Sequence, residues 1–179
     1  MQPTLSTARL RLRPFVLADA AAVTRYAGAR DVAATTAHIP HPYLDGMATD
    51  WIGRHEAWWT AQEQAVFAIE AESEPVIGAI GLVIAGADRR AELGYWIGVP
   101  FWGRGYATEA AHAVVAFGFD KLGLDRIHAI VFANNPASGR VLAKVGFTEE
   151  GRLRSHVVKW GAAHDVIAYG MLRGDRSHR

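Results

Sequence analysis

The stretch Val99-Pro-Phe-Trp-Gly-Arg-Gly-Tyr-Ala-Thr-Glu109 joins the end of a strand, a glycine pair and the start of a helix. The first amides of a helix have no partner within it. Together with the helix dipole they make a site for an anion such as phosphate. Gly103 and Gly105 carry no side chain, so backbone and ligand can approach closely. Arg104 can add a charge-assisted contact. Gly103, Arg104, Gly105, Tyr106, Ala107 and Thr108 are therefore candidates to hold a phosphate group. A glycine turn that only links strand to helix reads the same way. A dinucleotide site is a further alternative, because Gly103 to Thr108 approaches G-x-G-x-x-G. Three features count against it: Thr108 replaces the third glycine, the first glycine comes late after the strand, and the next strand ends Phe132-Ala-Asn134 without an acid.

The segment just before this turn has an uneven surface. Alternation puts Leu93, Tyr95, Ile97 and Val99 on one face and Glu92, Gly94, Trp96 and Gly98 on the other. Glycines weaken a strand, so two on one face call for a reason. Either a ligand runs close to the backbone there, or a bulge or bulky neighbour needs the space. Glu92 is either a solvated carboxylate or a group that takes a proton from a reacting amine. The eight histidines form no metal pattern. His38 and His41 flank a proline with no carboxylate close by, whereas a zinc site needs three or four converging ligands. No metal is expected.

The elements that must position these residues follow from periodicity and punctuation. Residues 9–13 (RLRLR) alternate as a half-buried strand, and Asp19 reads as the cap of an alanine-rich helix over 19–28. Residues 35–44 carry two prolines and read as an ordered loop. A helix is expected over 46–63, with Trp51, His55, Trp58 and Trp59 along one stripe; the tryptophans anchor it to the core, and one of them can line a cleft. Strands over 65–71, 76–85 and 91–99 are joined tightly enough to be antiparallel. A long helix over 105–121 then leads to a strand at 127–133. Such a crossover makes the strands before and after it parallel. Asn135 followed by Pro136 is an N-cap with proline at the first helical position, and the helix ends at Gly146. Strands at 147–154 and 165–173 close the chain. The reading is α+β: one domain over 1–173 with a mixed, partly antiparallel central sheet flanked by helices, followed by a polar, frayed tail over 174–179.

The motifs together resemble the GNAT superfamily of N-acetyltransferases, in order and over nearly the whole chain. The glycine turn resembles the acetyl-CoA signature Q/R-x-x-G-x-G/A, with Gly105 and Ala107 on its last two positions and Trp102 where glutamine or arginine is usual. Asn135-Pro-Ala-Ser138, followed by a short helix ending Gly146-Phe147, resembles the family's Asn-x-x-Ser helix. Thr7 to Arg13 and Ile39-Pro-His-Pro-Tyr43 resemble the branch that acetylates ribosomal protein N-termini, the RimJ/RimL type. The resemblance implies direct transfer of acetyl from acetyl-CoA to a primary amine. It implies pyrophosphate on Gly103 to Thr108 and pantetheine along Ile97, Gly98 and Val99, where one backbone amide holds the developing oxyanion. Asn135 and Ser138 lie on the far side of the cofactor arm, and Glu92 is the base. Leu142 occupies the position where many members keep an acidic tyrosine, which leaves Ser138 as the nearest hydroxyl for the leaving thiolate, ahead of Tyr106 and Tyr169. A small-molecule or antibiotic acetyltransferase and a non-catalytic acyl-CoA-binding module are the alternatives on the same fold.

Composition sets the outer limits. Half of the 179 residues are hydrophobic, enough for a core without staples. There is no cysteine, which excludes disulfides, zinc–thiolate sites and a cysteine nucleophile. The 19 basic and 18 acidic residues nearly cancel, which argues against direct nucleic-acid binding. No apolar run approaches the roughly 20 residues of a membrane span, and the N-terminal stretch has no apolar signal core. The expected setting is cytoplasmic. The expected partners are acetyl-CoA and an amine acceptor such as a ribosomal protein N-terminus, with a second copy of the chain as a candidate homodimer partner.

Overall fold

The computed structural model describes residues 1–178. Its strands are β1 (Leu5–Ser6), β2 (Leu10–Arg13), β3 (Gln64–Ala71), β4 (Glu74–Ala85), β5 (Arg90–Ile97), β6 (Arg126–Phe132), β7 (Thr148–Lys159) and β8 (Ala162–Leu172). They lie side by side as one 8-stranded sheet in the order β1-β2-β3-β4-β5-β6-β8-β7. Every neighbouring pair is antiparallel except β5 and β6, which are parallel as the long helical crossover between them demands. The helices are α1 (Ala20–Ala27), α2 (Arg30–Ala34), α3 (Met47–Gly53), α4 (His55–Thr60), α5 (Tyr106–Asp120) and α6 (Pro136–Val145). Among the described residues no helix is long and apolar enough to cross a membrane.

The core sits where β3 and β4 are covered on both faces. Ala65 to Ile69 are buried without a break, as a strand sandwiched between layers must be. From one side α5 contributes Ala110, Ala111, Val114 and Phe117, the inward stripe of an amphipathic helix. Phe117 meets Phe67 of β3 edge to face, with ring centroids 5.6 Å apart.

Several elements differ from the sequence expectations. Asp19 stands at the N-cap position of α1, but its side chain does not cap the helix. It sits in a 3-10 turn over Leu17–Asp19, where its carboxylate accepts the Val16 N–H and both terminal nitrogens of Arg13. The helix expected over 46–63 breaks at Arg54 into α3 and α4, and the short helix α2 was not foreseen. β5 ends at Ile97, because Val99 to Phe101 curl into a 3-10 turn led by Pro100. β7 runs on to Lys159 and β8 starts at Ala162, so they form one long hairpin around Trp160 and Gly161. Residues Arg173–His178, expected to be mostly frayed tail, form a 3-10 turn in which Arg176 pairs with Asp120 at 2.6 Å. Arg179 lies outside the described residues.

The feature that matters most for function is the short parallel pairing. β5 and β6 match only at Arg90↔Arg126, Ala91↔Ile127 and Glu92↔His128. β6 then stays with β8 along its whole length, while β5 stays with β4. The sheet therefore splits beyond Glu92 and His128.

Candidate active site

Two cavities open at this split. The larger, of about 350 Å³, lies on the α5–α6 side. The smaller, of about 290 Å³, is bounded by residues 35–39, Glu92 and Gly94. Thr35, Thr36, Tyr95, Trp96 and Ser138 line both, so the two spaces communicate through the gap in the sheet.

The glycine turn forms one end of the larger cavity. Gly103 and Gly105 have φ of +74° and +80°, the left-handed region that favours glycine. Gly105 is the residue before α5. Both glycines, with Tyr106, Ala107 and Thr108 of the first helical turn, line the cavity wall. Arg9 braces the turn from outside. It pairs with Glu109 at 2.7 Å, donates to the Arg104 carbonyl at 3.1 Å and lies over the Tyr106 ring. Burial of Glu109 works against its charge, yet hydrogen bonds from the Thr7 hydroxyl and from Arg9 keep its carboxyl below the usual range. The Arg104 side chain is not part of this wall; its guanidinium lies 5.8 Å from the Phe101 ring centroid.

The strand residues divide. A Cβ at Gly98 would stand 3.0 Å from the Tyr26 ring, so this glycine makes room for α1 and not for a ligand. Gly98 and Val99 do not line either cavity. Gly94 has nothing within 4 Å of its Cβ direction and borders the smaller cavity, as a ligand-facing glycine should. The Gly98 N–H is already given to the Ile77 carbonyl at 2.8 Å. Antiparallel ladders alternate, so the polar backbone groups of Tyr95 and Ile97 point away from β4 into the gap. The Ile97 carbonyl there accepts the indole N–H of Trp102 at 2.6 Å. Of the three residues considered for an oxyanion amide, Ile97 alone lines a cavity.

On α6 the Asn135 side chain accepts the Ser138 N–H at 3.3 Å, the cap that the Asn-Pro pair predicts. Leu142 is fully buried and lines the smaller cavity. The Ser138 hydroxyl lies 2.6 Å from the hydroxyl of Tyr95, a contact between β5 and α6 across the split. Burial pushes the Tyr95 phenol up to about 12, partly offset by its bond to Ser138, so it stays protonated at neutral pH. Tyr106 lies under Arg9, and the Tyr169 hydroxyl donates to Glu149 at 3.3 Å.

Tyr95, Arg140 and Lys144 escaped the sequence reading as site residues. Tyr95 resembled any inward aromatic of a strand. Arg140 and Lys144 stand four apart on α6 and both face the larger cavity. That spacing was visible, but nothing local distinguished it from a solvated helix face. Among the tryptophans of α3 and α4, Trp51 lines the smaller cavity, whereas Trp59 packs towards Phe117. Glu92 borders the smaller cavity and stands opposite His128. Among the described residues no group of three or more His, Asp or Glu could hold a metal ion.

Comparison with known proteins agrees with this geometry. Residues 9–148 match the family model described as "Acetyltransferase (GNAT) domain". The chain is 35% identical over 183 residues to the uncharacterized N-acetyltransferase YoaA of Bacillus subtilis (strain 168), covering 97% of this chain and 98% of that one. It superposes on Mycobacterium smegmatis RimJ in complex with CoA-disulfide with a TM-score of 0.84 at 27% identity, covering 98% of this chain and 91% of the other. RimL, a ribosomal L7/L12 alpha-N-protein acetyltransferase solved with coenzyme A, gives a TM-score of 0.87 at 17% identity over 95% and 98% of the two chains, which is a likeness of fold alone. With the split sheet, the glycine turn at α5 and the Asn-capped α6 all in place, the chain belongs to the GNAT acetyltransferase family.

Proposed function

We propose that this acetyltransferase transfers acetyl from acetyl-CoA to the N-terminal α-amine of a protein or peptide. The observation that carries the reading is the pair of cavities that share Tyr95, Trp96 and Ser138 as lining beside the gap beyond Glu92 and His128. A thioester reaching through that gap meets an amine from the opposite face. Gly103, Gly105 and the first amides of α5 bind pyrophosphate, with Arg140 and Lys144 as the nearby cations. The edge of β5 at Tyr95 and Ile97 pairs with the pantetheine arm. Asn135 and Ser138 of α6 bound its other side.

In the transfer, Glu92 accepts a proton from the incoming ammonium, directly or through water. The neutral nitrogen attacks the thioester carbon, and the Ile97 N–H donates to the oxygen as it becomes an oxyanion. The nitrogen, positively charged after the attack, loses its second proton to solvent, and the oxyanion collapses with cleavage of the C–S bond. Ser138, held by Tyr95, donates its hydroxyl proton to the thiolate and regains one from solvent.

The choice of acceptor rests on charge. Among the described residues Glu92 is the only carboxylate on the wall of the smaller cavity, and residues 35–44 contain no acid. Asp45, Asp50 and Glu56 are exposed and do not line it. One carboxylate suits one amine, whereas polycations are drawn by an excess of acids. An α-amine also titrates near ~8 against ~10.4 for lysine, so more of it is neutral at physiological pH. The 35% identity over 86 residues to the putative ribosomal N-acetyltransferase YdaF of Bacillus subtilis (strain 168), covering 48% of this chain and 47% of that one, points the same way. The test is competition between a short peptide with a free N-terminus, the same peptide N-blocked with a lysine retained, and an aminoglycoside, with the acetyl located by mass spectrometry. The free N-terminus should have the highest kcat/KM. Preference for the blocked peptide or the antibiotic overturns the acceptor assignment, and no thiol release with any amine overturns catalysis itself.

A further inference from the structure

Lys159 ends β7 and is 7% exposed, although nothing in the transfer reaction uses it. Its ammonium meets no carboxylate. It donates to the carbonyls of Ala37, at 3.5 Å, and Ile39, at 2.5 Å, residues about 120 positions earlier in the chain. Those carbonyls belong to the segment that bounds the smaller cavity, where Thr36, Ala37, His38 and Ile39 form part of the wall. Between Ala37 and Tyr43 no backbone–backbone hydrogen bond ties this segment to the rest of the described chain. A charged donor buried against neutral acceptors is costly unless those bonds are made, and charge-assisted bonds are the strong ones.

The next residue reinforces the contact. Trp160 sits at φ +50°, a conformation that bulky residues rarely adopt, in the two-residue turn completed by Gly161. Strain of this kind persists only where surrounding contacts hold it. The Trp160 ring lies 6.2 Å from the His41 ring and 5.7 Å from the Arg30 guanidinium. The tip of the β7–β8 hairpin thus meets the segment at Ala37, Ile39 and His41. Lys159 itself does not line the cavity, so it acts through the segment and not on the acceptor.

We propose that Lys159 is a positioning residue of the acceptor site: through the carbonyls of Ala37 and Ile39 it holds residues 37–42 closed over the smaller cavity, and so sets the affinity for the amine without serving cofactor binding or acetyl transfer. This rests on the smaller cavity being the acceptor side. The experiment compares wild type with Lys159→Met and Lys159→Arg. One arm follows chymotryptic cleavage at Tyr43 and Leu44 in the native protein and needs no acceptor. The other measures steady-state kinetics with whichever amine wild type uses best among a free-N-terminus peptide, spermidine and kanamycin. Failure of the peptide assignment therefore leaves the test intact.

Lys159→Met should be cleaved about tenfold faster or more, and its acceptor KM should rise by about the same factor. Its kcat at saturating amine and its calorimetric affinity for CoA should stay within about twofold of wild type. Lys159→Arg, which keeps donors at the same place, should recover most of the protection and the KM. Unchanged cleavage and KM in Lys159→Met overturn the clasp. Faster cleavage with an unchanged acceptor KM shows a clasp that does not serve the acceptor site. A parallel loss of kcat or CoA affinity shows a general structural role. If the Met variant does not fold, Lys159→Gln, which loses the charge and the reach, takes its place: with a wild-type melting temperature, a raised acceptor KM supports the proposal and a wild-type KM overturns it.

Discussion

Glu92 and His128 are the last register pair of β5 and β6, and the Glu92 Oε2 lies 3.8 Å from the His128 Nε2. Burial lowers the pKa of His128, and the attraction of Glu92 opposes this without reversing it. A neutral imidazole therefore flanks a half-exposed carboxylate at the point where the sheet opens.

Replacing Glu92 by Gln should lower kcat by about 10²–10⁴-fold, the usual cost of a lost general base. CoA affinity should not change, because Glu92 lies outside the larger cavity. The deficit should narrow as pH rises, since more of the amine is then already neutral. Steady-state rates from pH 6.5 to 9.5 are the measurement, and a wild-type kcat across that range would show Glu92 to be structural.

Tyr95→Phe removes the hydroxyl that meets Ser138 at 2.6 Å while keeping the ring that fills the split. With the serine no longer oriented, kcat should fall by roughly tenfold or more, and Ser138→Ala by at least as much. The double variant should be little worse than Ser138→Ala, because both changes act on one proton path. Additive losses would place the two hydroxyls in separate roles.

Ala107→Glu puts a carboxylate in the first turn of α5, on the wall of the larger cavity. An acid there favours the helix dipole, so the fold should be retained or slightly stabilised. Phosphate binding should suffer, with CoA affinity falling about 100-fold or more by calorimetry. The opposite signs for stability and affinity separate a phosphate site from a mere turn. This substitution is cleaner than one at Gly105, whose φ of +80° would strain any side chain.

His55 is 7% exposed, enclosed by Phe15, Trp51 and Trp58, and neither ring nitrogen has a partner. Burial lowers its pKa to about 4 from an ordinary 6.5. Between those values the unfolded chain binds a proton that the folded one refuses, so stability is full above about pH 6.5 and declines as pH falls towards 4. The decline from this residue amounts to roughly 3 kcal/mol at most. Urea unfolding at pH 7.5 and 5 should show it, and His55→Leu should flatten the difference. An equal pH dependence in the variant would assign the acid sensitivity to other groups.

Much of this protein follows from local rules in the sequence. The glycine before α5, the Asn-Pro cap of α6, its Gly146 terminator and the tight β3–β4–β5 connections depend on residues within one turn of each other. Caps, turns and periodicity are short-range properties, so the glycine turn at α5 and the capped helix α6 were legible in the chain. The break at Arg54 and the 3-10 turn at Asp19 were not, because Asp19 answers to Arg13 and Val16 rather than to its own helix. The other decisive features are contacts between distant positions. Tyr95 meets Ser138 43 residues on, Gly98 yields to Tyr26, and Lys159 reaches Ile39. The length of the β5–β6 pairing is of the same kind, since it depends on where β8 draws β6 away from β5. Register and packing sum many weak terms over the whole molecule, and no window of sequence contains them. The family's motifs were therefore legible in the chain, while the gap in the sheet exists only once the strands are assembled.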